Sequence, residues 1–159
     1  MKTMNFIPIR TTTVRALQEG GNDSHGNAPE VRISDGDGLP CRHCLDYIPE
    51  GEEYLILSYK PFSSTQPYAE QGPIFLHRKE CHSHENPTVL PKICDPEGRL
   101  LIRGYSADER IVYGTGKVVQ NSQIETEAQK VLDLQDVAYI HVRSASNNCY
   151  QFRIEQDEK

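Results

Sequence analysis

Val137-Ala138-Tyr139-Ile140-His141-Val142-Arg143 and Cys149-Tyr150-Gln151-Phe152-Arg153-Ile154-Glu155, separated by Ser144 to Asn148, are the stretches on which the fold turns. Each alternates with a period of two, the mark of a β-strand with two different faces. Ala138, Ile140 and Val142 alternate with Tyr139, His141 and Arg143. Tyr150, Phe152 and Ile154 alternate with Cys149, Gln151 and Arg153. In a hairpin the apolar sets must share one face. A loop of three residues (Ser146 to Asn148) or of five (Ser144 to Asn148) achieves this, with Asn148 suited to a left-handed backbone. A two-residue loop does not.

Working outward, Arg99 to Tyr105 and Arg110 to Val119 read as strands around a turn at Ala107 to Glu109. Ser122 is placed to cap a helix near residues 122–133, where Glu125, Glu127, Ala128, Gln129, Lys130 and Leu132 are good helix formers. Upstream, Met4 to Ile9 reads as an edge strand and Val14 to Gln18 as a turn or two of helix. Glu19 to Glu30 reads as a flexible loop, Val31 to Ser34 as a short strand, and Asp35-Gly36-Asp37-Gly38 as a turn. Tyr54 to Tyr59 and Ile74 to Leu76 are apolar, β-prone runs joined by a long loop with Pro61, Pro67, Gly72 and Pro73. The order predicts one α+β domain over residues 1–159, mostly antiparallel sheet, with one main helix, a C-terminal hairpin and a disordered tail at 156–159.

If Tyr54–Tyr59 and Ile74–Leu76 pair antiparallel, the chain leaves Cys41 and Cys44 along the first and returns along the second to His77 and Cys81. Cys-x-x-Cys on a tight turn and His-x-x-x-Cys from a distant segment complete the tetrahedral donor set that zinc prefers. Four protein ligands leave no position for water, so the predicted site is structural and coupled to folding. His43, His82 and His84 stand near enough in sequence to replace an assigned ligand. A redox dithiol at Cys41 and Cys44 is the weaker reading, because Pro40 and Leu45 do not give a strand-to-helix setting.

On the hairpin, Tyr139, His141, Arg143, Cys149, Gln151 and Arg153 are predicted to share the polar face. The face is either plain solvated sheet or a surface for a protein partner or a small anionic ligand. In the five-residue register Cys149 lies near His141, which makes the pair the candidates for thiol catalysis.

The composition narrows the class. The net charge of −6 and scattered basic residues disfavour nucleic acid. The longest apolar run, Leu55 to Leu57, is far below the roughly 20 residues of a membrane-spanning helix. Met1 to Thr13 has no apolar core of a secretory signal. Five cysteines, an odd number, suit metal ligands or free thiols in the cytosol better than a disulfide framework.

Gly38-Leu39-Pro40-Cys41-Arg42-His43-Cys44-Leu45, Pro49-Glu50-Gly51-Glu52, Pro67-Tyr68-Ala69-Glu70, Gly72-Pro73-Ile74-Phe75-Leu76-His77, Ala138-Tyr139-Ile140-His141 and Cys149-Tyr150 together resemble the bacterial family called domain of unknown function 1203. The resemblance implies that Cys41, His141 and Cys149 belong to the family pattern while Cys44 and His77 mark a subgroup with zinc. It leaves a direct Cys41 to Cys149 relation open. The prediction is a cytosolic, zinc-stabilised binding or interaction module. The alternative is a thiol-dependent enzyme using Cys149 or Cys41 with His141.

Overall fold

The computed structural model describes residues 2–157. In chain order the elements are β1 (Met4–Ile7), α1 (Thr11–Gln18), β2 (Glu30–Ile33), β3 (Glu53–Tyr59), β4 (Gly72–His77), β5 (Arg99–Tyr105), β6 (Lys117–Gln120), α2 (Ile124–Leu132), β7 (Tyr139–Ser144) and β8 (Tyr150–Gln156). Every strand pair within the sheets is antiparallel. The strands are divided between two sheets, one of order β1-β8-β7-β5-β6 and one of order β2-β3-β4. The molecule is an α+β domain with α2 as its main helix. Among the described residues no helix is long and apolar enough to cross a membrane.

The predicted hairpin of β7 and β8 forms with one change of register. Ile140 faces Ile154 and Val142 faces Phe152, but Arg143 faces Tyr150, so Gln151 is an extra residue at a β-bulge. Ser144 N donates to Cys149 O and Cys149 N to Ser144 Oγ, each at 2.9 Å. The loop is therefore Ala145 to Asn148, four residues long, and neither predicted length. Asn148 has φ +57°, as its position required. A bulge reverses the alternation at one point, so Tyr150 leaves the side of Phe152 and Ile154 and joins that of His141, whose ring lies 4.9 Å from its own.

The first core lies between the larger sheet and α2. Ile102, Ile140, Val142, Phe152 and Ile154 meet Ile124, Ala128, Val131 and Leu132, with Phe6 and Leu45 closing the ends. Those four α2 positions follow the 4, 3 and 1 spacing that places side chains on one helical face. Ser122 does not cap the helix. It sits inside a 3-10 turn, Asn121–Gln123, and no side-chain cap bond forms. The neighbouring Asn121 amide instead donates to Asp95 O at 2.7 Å. The strand predicted over Arg110 to Val119 begins only at Lys117, because Thr115 Oγ1 takes the Gly104 N–H at 2.9 Å and bonds Val112 O at 2.6 Å in place of a regular ladder.

The second core lies between α1, the smaller sheet and the hairpin. It contains Ile9, Val14, Leu17, Ile48, Leu55, Leu57, Ile74, Leu76, Cys41 and Tyr150. At the ends of the chain, β8 runs on through Gln156 and Asp157 N donates to Thr3 O at 2.9 Å, so any tail starts later than predicted. Residues 158–159 of that predicted tail lie outside the described residues. The predicted loop Glu19 to Glu30 is held to β3, since the Asp23 carboxylate accepts from His25 N, Asn27 N and Ser58 N.

Gly104, in β5, lies where α2 comes closest. A Cβ there would stand 3.1 Å from Thr115 Oγ1, Val131 Cγ1 and Val137 Cγ2. Gly104→Ala is expected to destabilise the protein by about 1–3 kcal/mol in urea unfolding, through overpacking. An unchanged midpoint would contradict the close approach of α2.

Candidate metal centre

The backbone around Cys41 is built as a turn. Leu45 N donates to Cys41 O at 3.0 Å, and Leu45 itself has φ +55°, a left-handed conformation uncommon for a non-glycine residue. The turn persists because burial holds both ends: Cys41 is fully buried in the second core and Leu45 in the first. Cys41 also bridges to Phe75 of β4, which sets the turn beside the strand that ends in His77.

The result is convergence. One ligand atom each from Cys41, Cys44, His77 and Cys81 lies within 4.8 Å of every other. The Cys41 and Cys81 sulfurs are 3.9 Å apart, and Cys44 Sγ is 3.7 Å from His77 Nδ1. Sulfurs on a tetrahedral ion with bonds of about 2.3 Å stand about 3.8 Å apart. Three thiols and an imidazole at this spacing can bind a metal ion.

Charge in the group is already organised. Hydrogen bonds from the Cys44 and Cys81 thiols hold the Cys41 thiol far below its ordinary range, while donation to Cys41 pushes Cys44 up. The Cys41 and Cys81 sulfurs raise His77 to about 10. Negative charge is thereby favoured on the Cys41 sulfur and positive charge on His77, and a cation would bind by displacing the shared protons. The His77 N–H also points at Cys41 Sγ at 3.5 Å, favouring negative charge on that sulfur.

Groups behind the ligands fix their orientation. His77 turns its other nitrogen, Nε2, to Glu52 at 3.5 Å. His43 is fully buried and lies outside the group of four: its Nδ1 meets Cys81 Sγ at 3.1 Å and its Nε2 meets Thr11 Oγ1 at 2.9 Å. Once Cys81 binds a metal its sulfur can only accept, so Nδ1 would then carry the proton and the Thr11 hydroxyl would donate to Nε2. Burial lowers the pKa of His43, consistent with a neutral ring. His84 is engaged elsewhere, with Val89 O at 2.8 Å, and His82 stands outside the group.

Helix α1 supplies the rest of this frame, which sequence reasoning missed. Arg15 donates to Cys81 O at 2.8 Å, and Gln18 donates to His77 O and Lys79 O, both at 2.9 Å. Thr11, Arg15 and Gln18 recur at four and three residues, one polar stripe beside the buried Val14 and Leu17. That stripe was the available signal.

The hairpin residues form a second group of a different kind. Tyr139, His141, Arg143 and Gln151 are buried, so the predicted solvated face is covered. Phe62, from the segment after β3, packs 5.2 Å from His141, and Tyr105 and Tyr139 stack on each other at 5.5 Å. Arg153 lies 3.5 Å over the Tyr139 ring. The structure does not join Cys149 to His141: no hydrogen bond links them, and Cys149 Sγ faces Asn147 O at 3.7 Å. Burial and the Arg143, Arg153 and Arg103 charges lower the pKa of His141 well below its ordinary value. Cys41 and Cys149 are both free thiols. What links their segments is Arg42, buried, whose Nε donates to Tyr150 O and Nη1 to Pro40 O, both at 2.7 Å.

Glu52→Gln and His43→Phe are each expected to weaken divalent-metal affinity about 10–100-fold while leaving the four ligands in place, as read by competition with a chelating dye. Unaltered affinity in both would remove these residues from the centre.

The family model described as protein of unknown function (DUF1203) matches residues 38–156. The match contains the Cys41 turn, β4 with His77, Cys81 and the closing hairpin. Neither the curated proteins nor the solved structures give a match.

Proposed function

The chain belongs to the DUF1203 family, and we propose that it is a zinc-stabilised binding module whose Cys41, Cys44, His77 and Cys81 hold one structural zinc ion. The observation that carries this reading is the convergence of three sulfurs and one imidazole nitrogen within 4.8 Å. Soft thiolate donors with one nitrogen favour zinc over magnesium or calcium, which take oxygen. A complete set of protein ligands leaves no open position, so the ion's role is to hold structure rather than to activate water.

The reading explains why this part of the chain needs a cross-link. Residues 78–98 run from β4 to β5 with no helix or strand, and Cys81 is the ligand within that stretch. An ion fastens the stretch to the Cys41 turn where few apolar side chains are available. Zinc binding to thiolates in a reducing compartment agrees with five free cysteines and a cytosolic protein.

Elemental analysis of protein purified without added metal is expected to give about one zinc per chain. Cys44→Ser is expected to lose the metal and melt at lower temperature, and Cys149→Ser to keep both. Metal-free wild type, or metal retained in Cys44→Ser, would overturn the assignment.

Thiol labelling gives an independent check. In the native protein Cys149 is expected to alkylate first, because Cys94 is buried and its thiol is pushed up to about 12, and the other three are ligands. Chelation is expected to add Cys41, Cys44 and Cys81 to the labelled set. Rapid labelling of Cys41 before chelation would contradict a bound ion.

A further inference from the structure

Away from the metal centre, the amino end of α1, the segment after β3 and the hairpin line a broadly open surface cavity of about 510 Å³. That size suits a small ligand. Its lining includes Tyr59 and Tyr150, whose rings pack 5.7 Å apart, and His141, whose ring lies 4.9 Å from that of Tyr150. His141 is almost wholly buried, yet neither ring nitrogen has a hydrogen-bond partner. A buried polar group without a partner costs about 1–3 kcal/mol, so such groups are normally satisfied by protein, water or ligand.

The charge around the opening points one way. Arg10, Lys60 and Arg153 line it against Glu109 and Glu155. The Glu109 carboxylate is already occupied by Ser63 N and Ser63 Oγ, and Glu155 lies against Arg153. The cavity thus keeps an excess of one positive charge. Helix α1 begins at its edge with Arg10 and Thr13, and no side chain caps that end and no acidic residue stands in its first turn. The unpaired N–H groups of a first helical turn favour an anion.

We propose that this cavity is a binding site for a small organic anion, a carboxylate or phosphate ester with a flat ring. Its charged group would sit between Arg10, Lys60 and the start of α1, its ring beside Tyr59 and Tyr150, and a polar atom against His141. A neutral imidazole has one donor and one acceptor, so it can serve a ligand of either polarity. The inference deepens the binding-module reading by naming the ligand class and the surface.

The test uses the full-length, metal-containing chain with benzoate and phenyl phosphate as probes, titrated by calorimetry and by thermal shift. Saturable binding of either probe, weakened by salt, is expected; the tighter one identifies the charged group as carboxylate or phosphate. Arg10→Ala with Lys60→Ala, both in the cavity lining and neither a metal ligand, is expected to weaken binding about tenfold or more with an unchanged melting temperature, the loss of charge-assisted contacts being the cause. His141→Phe, which keeps the ring packing, is expected to weaken it as well. Absence of binding by both probes at millimolar concentration overturns the proposal, as does binding unaffected by the Arg10 and Lys60 substitutions. Zinc measured on the same samples separates the two readings: zinc without probe binding sinks the anion site alone, and probe binding without zinc sinks the metal assignment alone.

Discussion

The turn at Cys41 to Leu45 ties the two cores of this molecule together. Its first residue is buried in the core of the smaller sheet and its last in the core of the larger one. Between them, Arg42 reaches the backbone of Tyr150 on the hairpin. Buried guanidinium groups are tolerated only when their donors are paired, and Arg42 also lies over the Phe75 ring. His43, the next residue, is bonded to Thr11 of α1 and to Cys81. Five consecutive residues therefore contact both cores, the hairpin, the first helix and the ligand loop. The left-handed backbone at Leu45 is the strain that this arrangement sustains.

A metal ion bound at this point would do more than close a loop. Two of its ligands come from the turn, one from the end of β4 and one from the irregular segment beyond it. An ion held there would couple the turn that joins the two cores to residues 78–98, which form no helix or strand. Such coupling makes metal affinity a component of folding free energy rather than a separate property. Arg15 and Gln18 of α1 hold the backbone at Cys81 and His77, and the Glu52 carboxylate faces His77 Nε2, so the four side chains that converge are oriented from outside.

The main strands and the convergence of Cys41, Cys44, His77 and Cys81 were legible because they rest on local signals: period-two alternation in the hairpin, a Cys-x-x-Cys turn, an apolar run ending in His77. The sequence did not disclose what happens when elements meet. The bulge at Gln151 is a tertiary adjustment with no marker in the alternating pattern, and it alone moved Tyr150 to the side of His141. The division into two sheets was hidden for the same reason, since nothing in Tyr54–Tyr59 tells which strands it avoids. The sequence leaves the polar hairpin face open as solvated sheet or as a binding surface, because His and Arg are usually exposed. Its cover, Phe62, comes from a loop whose composition looks exposed. The role of α1 was written in the spacing of Thr11, Arg15 and Gln18, but polar residues on a short helix ordinarily mean only a wet face.

The central claim, that three cysteines and one histidine form a single closed zinc site, is tested most directly by X-ray absorption at the zinc edge on protein carrying one equivalent of the metal. The account predicts a first shell of three sulfurs at about 2.3 Å and one nitrogen at about 2.0 Å, with no oxygen. A shell with two sulfurs, a second imidazole or a bound water would contradict it.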